Sequence, residues 1–220
     1  MLVVGGSRDE TARLAARLAR AGHRLAVQSP LHALPPAAGT PGVEPSGTSE
    51  PHTGRAPVSL AADRADPEDL TRLVTAAERV LDGLDAVVIL PGTPAEPASL
   101  DSDPVSWAGS WSHALESDLL AVACLAHAAA RSFVEQRQAG QIVLVAGSSV
   151  ADDASTLDST IRAGVTALGA ELARQLRGHD VAVTVLTVGH AIAQGESAVP
   201  AMIEAALSAR LRRDVDIRIG

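Results

Sequence analysis

The chain contains no tyrosine, and its eighteen basic residues are all arginine, so lysine is missing too. These absences exclude three chemistries wherever the residues fall in space: a Tyr–Lys acid/base pair, a lysine Schiff base and a phosphate loop with its lysine. A GC-rich coding bias accounts for arginine in place of lysine; it does not account for the missing tyrosine. Cys124 is the single cysteine, which rules out an intramolecular disulfide and makes a reducing cytoplasm the expected compartment. No run of about 18 uninterrupted apolar residues occurs, so no membrane-spanning helix is expected. The start of the chain enters a strand with neither a basic region nor a hydrophobic leader. A net charge of −8 gives no electrostatic reason to expect nucleic acid or an anionic membrane as partner. The chain of 220 residues, 46% hydrophobic and 20% charged, is not globally disordered and is long enough for one domain with a buried core.

What is present is organised around 140–176. An apolar, β-branched run, Ile142 to Ala146, leads through a loop into a long Ala/Leu helix, the pattern of a buried strand feeding a helix across a site. Upstream, a strand over 1–6, an amphipathic helix over 10–21 with Leu14 and Leu18 inward, a stop at Gly22 and a strand over 24–28 form a strand–Gly turn–helix–strand unit. Such a unit opens dinucleotide-binding folds. Residues 31–56, rich in Pro, Gly, Ser and Thr, read as a long flexible loop in which His32 and His52 are solvated, with no third ligand for a metal.

A third strand over 57–61 precedes a helix capped by Asp66 with Pro67 in its first turn. The strand over 84–90 is apolar enough to be central. The helix after Pro104 carries Trp107 and Trp111 at packing spacing and runs through Leu119 to Phe133. A sixth strand over 181–187, a helix over 199–213 and a last strand over 215–219 complete a doubly wound parallel α/β sheet, expected as one domain spanning 1–220.

These elements carry motifs that resemble the short-chain dehydrogenase/reductase (SDR) family. Ala163-Gly164-Val165-Thr166-Ala167-Leu168 matches the run that follows Tyr-x-x-x-Lys in that family, and Gly5, Asp63, Gly92 and Gly189 match further frame residues. The resemblance implies a Rossmann-like fold, a nicotinamide dinucleotide at the carboxyl ends of the strands, and a four-helix dimer interface built from the two Ala-rich helices. It also places Asp158 at the Tyr position, Arg162 at the Lys position, Gly147 at the Ser position beside Ser148 and Ser149, and Asp118 at the Asn position.

In the glycine-rich turn the Thr position is Val4. Gly5 is kept, and the other two glycines are Asp9 and Thr11, with Glu10 adding negative charge where a pyrophosphate would sit. Asn-Asn-Ala-Gly is replaced by Ile89-Leu90-Pro91-Gly92, Arg64 stands where Val usually follows Asp63, Val188-Gly189-His190 replaces the Pro-Gly turn, and Ala193 replaces a Thr near the nicotinamide. The shortened end of the chain leaves little material for a substrate lid.

On this resemblance the candidate cofactor-binding residues are Gly5, Ser7, Arg8, Asp63 and Gly92; no catalytic residue and no metal ligand is expected. No cofactor is expected. If one binds it is NADP(H), because Arg8 matches a contact to the ribose 2′-phosphate, and Gln28-Ser29 offers no carboxylate to a free 2′-hydroxyl. The expected function is a pseudo-enzyme serving as a non-catalytic subunit, as a homo-oligomer or with an active SDR paralogue. The alternatives are a non-redox enzyme using Asp118, Asp158 and His190 in the same crevice, and an NADP(H)-dependent reductase with a non-standard proton donor. Asp158 and Arg162, one helical turn apart, are expected to form a surface ion pair, and Asp118, Asp158 and His190 to be solvated positions near strand ends.

Overall fold

A computed structural model describes residues 1–29, 56–92, 101, 103–147, 156–187, 198–208 and 217–218. Among these residues, seven parallel strands form one sheet in the order β3-β2-β1-β4-β5-β6-β7. They are β1 (Leu2–Val4), β2 (Ala26–Ser29), β3 (Val58–Ala61), β4 (Ala86–Ile89), β5 (Gly140–Ala146), β6 (Val181–Thr187) and β7 (Ile217–Arg218). The doubly wound reading of the sequence is the fold observed. Strand alternation divides the core into two layers. Leu2, Val4, Val87, Ile89, Ile142 and Leu144 face one side; Val3, Val88, Val143 and Val145 face the other. Burial on both faces explains why β4 and β5 read as continuous apolar runs.

The helices on the first face are α2 (Pro67–Leu81), α4 (Ala121–Glu135) and α5 (Thr156–Gln175), and those on the second are α1 (Arg8–Arg20) and α6 (Ala198–Ser208). Their ends are written in the sequence. Ser7 and Glu10 close a capping box at α1. Asp66 accepts from Glu68 N at 2.8 Å, and Pro67 follows it. Gly22, at φ +90°, ends α1 as expected.

The helix that begins at Pro104 is capped by Asp103, which accepts from Val105 N and Ser106 N. It runs as α3 (Pro104–Ala114), passes through a π-helical turn, Leu115–Leu120, and continues as α4. By length and composition this helix is apolar enough to cross a membrane. Its α4 half instead buries Val122, Leu125, Ala126, Ala129 and Phe133 in the core, which accounts for its composition. Trp107 and Trp111 stack with centroids 5.1 Å apart, the packing role their spacing predicts. Gly164 lies against the tip of Leu119, and Gly169 lies against Val185 with no room for a Cβ, so α5 packs close to its neighbours. His32, His52 and the 31–55 part of the expected loop lie outside the described residues, as do Ser148, Ser149, Gly189, His190 and Ala193.

Candidate functional site

The strand order reverses between β1 and β4, and in open parallel sheets ligands bind outside the carboxyl ends at this switch point. Here Gly5 follows β1, Gly92 follows β4, Asp63 follows β3, and Ser7 and Arg8 open α1. The fold therefore brings the five candidate cofactor-binding positions to one edge. Gly5 and Gly6 have φ of +88° and +74°, a region that only glycine adopts without strain. A Cβ at Gly5 would collide with Leu90 O and with the Arg64 guanidinium.

Among the described residues at this edge, several donors and acceptors are engaged by the chain itself. Ser7 Oγ accepts from Glu10 N at 3.3 Å, and Glu10 Oε2 accepts from Ser7 N at 2.9 Å. A carboxylate thus occupies the helix N-terminus where a phosphate would be drawn. Thr11, buried, donates its hydroxyl to Gly5 O at 2.5 Å. Beyond β3, Asp63 is exposed and its Oδ1 accepts from Ala65 N at 2.9 Å. Gln28 Nε2 donates to Ala62 O at 3.0 Å.

At the centre of the edge are Arg64 and Asp118. Arg64 Nη1 donates to Leu90 O at 3.4 Å, and Nη2 to Ser117 O at 3.3 Å. Asp118 is only 4% exposed, and its Oδ1 accepts from Gly92 N at 3.0 Å. A Cβ at Gly92 would collide with this carboxylate. Burial pushes the Arg64 guanidinium below its ordinary pKa, with the Asp118 charge opposing. Burial likewise pushes the Asp118 carboxyl up, opposed by Arg64 and by the Gly92 N–H. Loss of water is the largest influence on each, so the two charges offset a desolvation cost they share.

Asp118 corrects one expectation. It is a buried helical residue in the π-turn, where a widened ladder re-aims a side chain, and not a solvated position near a strand end. Asp158 and Arg162 lie half-buried one turn apart on α5, and Gly147 ends β5 at φ +92°. Among the described residues no group of three His, Cys, Asp or Glu is arranged to hold a metal.

Sequence reasoning noted Arg64 only as a departure from Val and missed its place over Gly5. The available signal was a pair of opposite charges, Arg64 and Asp118, at two positions the SDR pattern fills with neutral residues. The chain has no asparagine at all to supply the second. A pyrophosphate fits these residues poorly, because the glycine approach is covered and the helix N-terminus is capped by a carboxylate. An open cleft of about 410 Å³ lies at the opposite edge, lined by Met1, His23, Arg24, Asp85 and Gln138 among others. It is on the wrong side of the sheet for chemistry at the switch point.

No protein-family model matches the chain, and no curated protein matches it. Solved structures do. An NADP complex of a metagenomic short-chain oxidoreductase superposes with a TM-score of 0.70 at 16% identity, over 100% of this chain and 96% of that one. The fold is that of the short-chain dehydrogenases/reductases. An SDR oxidoreductase from Brucella ovis, with a partially ordered NAD, gives a TM-score of 0.68 at 21% identity over 100% of this chain and 98% of that one. The NADPH-dependent 3-quinuclidinone reductase of Rhodotorula rubra gives 0.63 at 18% identity over 84% and 67%. At these identities the likeness establishes the SDR architecture, and the nucleotides belong to those proteins.

Proposed function

We propose that this chain is an SDR-fold protein without carbonyl reductase chemistry, acting in a reducing cytoplasm as a non-catalytic partner subunit of an SDR-type oligomer. One observation carries the reading: the chain has neither tyrosine nor lysine, and the positions the family resemblance assigns to catalysis hold Asp118, Gly147, Asp158 and Arg162. Carbonyl reduction requires a proton donor titrating near neutrality beside the carbonyl oxygen. Asp158 brings a carboxyl and Arg162 a guanidinium, so the phenol and the ammonium of the missing pair have no counterpart at these positions. The partner role draws support from the surface. Ala163, Ala167 and Ala170 make a small-residue stripe on the exposed face of α5, and Leu120, where the π-turn meets α4, is 51% exposed.

The test combines activity and assembly. Purified protein should consume no NADPH with a panel of aldehydes and ketones. Sedimentation should show a dimer or larger species, alone or with an active SDR paralogue, which Ala167→Arg dissociates. A monomer under all conditions sinks the partner role, and NADPH consumption favours a second reading: an NADP(H)-dependent reductase with a non-standard donor. That second reading is supported by the NADP-bound neighbour of the same fold.

A further inference from the structure

We propose that Arg64 is a built-in occupant of the dinucleotide crevice, a guanidinium plug over Gly5 anchored on Leu90 O and Ser117 O. The inference deepens the partner-subunit reading by naming what closes the site. Arg64 comes from the β3–α2 connection, and its fork reaches the end of β4 at Leu90 O and the π-turn at Ser117 O. Asp118 supplies the opposing charge, and is itself fixed to Gly92 N. Three segments that flank the switch point are thereby tied together beside Gly5, where the Arg64 guanidinium and Leu90 O both stand against the bare Cα.

Arg64 itself satisfies the carbonyls at this edge. An incoming dinucleotide would have to displace it, strip Leu90 O and Ser117 O of their donor, and leave the buried Asp118 without its counter-charge. The Ser7–Glu10 capping box and Thr11 close the adjoining helix end in the same manner.

A guanidinium in a nucleotide crevice has an opposite reading, as a ligand for phosphate. The two readings predict opposite responses to its removal. The informative variant is Arg64→Val with Asp118→Asn, which removes the plug and its counter-charge together, so that no uncompensated charge is buried. Titration with NADPH, followed by calorimetry and by nucleotide fluorescence, should show no saturable binding to the wild type up to millimolar nucleotide. The double variant should gain at least about tenfold in affinity.

Two results overturn the plug: wild-type binding that is lost in the double variant, which makes Arg64 a phosphate ligand, or equal absence of binding in both, which places the closure elsewhere. If the double variant does not fold, Asp118→Asn alone decides. It keeps an oxygen for Gly92 N and loosens Arg64, so it should gain a few-fold over the wild type; no gain refutes the proposal. The failures of the two readings are separable. Nucleotide bound by the wild type, weaker in the double variant and not consumed, sinks the plug and leaves the partner subunit standing. A monomeric wild type beside a nucleotide-binding double variant does the reverse.

Discussion

At the carboxyl edge of the sheet, Gly5 faces a carbonyl and a guanidinium, Gly92 faces a carboxylate, and Arg64 and Asp118 tie the described turns to other segments. At the amino edge, Gly22 has nothing within 4 Å of its absent side chain, and a cleft of about 410 Å³ stands open beside it. Both glycines have positive φ, +88° and +90°. The φ angle is therefore nearly the same, and the surroundings differ. In open parallel sheets ligands bind at the carboxyl edge; among the described residues of this chain, that edge is where side chains engage one another.

The largest effect expected from this contrast is at the two glycines. Gly5→Val adds a strained φ to a collision with backbone, and should cost about 3 kcal/mol or more. Gly22→Ala incurs the conformational strain alone, about 1 kcal/mol. Urea denaturation of both variants measures the difference, and equal losses would erase the distinction between the edges. A smaller effect is expected at Asp118→Ala. It leaves Gly92 N without an acceptor and Arg64 without a counter-charge, a loss of about 1–3 kcal/mol by the same measurement.

The smallest effect concerns pH. Burial raises the Asp118 carboxyl above its ordinary value in the folded protein. The fold therefore favours the protonated form, and the stability this contributes is present at low pH and lost as pH rises through the folded value. Asp118→Asn lacks this dependence, so its stability relative to the wild type should increase from the ordinary carboxylate range upward. A difference that is flat with pH, followed by thermal melts across that range, would show Asp118 to be fully offset by Arg64.

Much of the fold was legible in the sequence because its signals are local. The Val/Ile runs of β4 and β5, the Asp66-Pro67 start of α2 and the stop at Gly22 each act within a few residues. The crevice was legible only as a pattern of losses. Asp118 was misplaced because a π-turn leaves no periodic mark of its own in so short a stretch. Arg64 was missed for a different reason: its partners, Leu90 O and Ser117 O, are main-chain atoms 26 and 53 residues away. A carbonyl carries no residue identity, so nothing at positions 90 or 117 announces the contact. The covered glycine is legible only when the strands are placed side by side.

The π-turn between α3 and α4 acts as a phase shift. Each residue advances a helix by about 100°, so one extra residue in a turn rotates everything downstream relative to what came before. The faces of the two halves are thereby decoupled: α3 directs Val105 and Trp107 outward, while α4 turns Val122, Leu125 and Phe133 into the core. The joint falls at Asp118, so the residue that accepts from Gly92 N is also the point where the helix changes its facing. A single-residue deletion between Leu115 and Leu120 would bring the two halves back into step and swing the carboxylate away from Gly92.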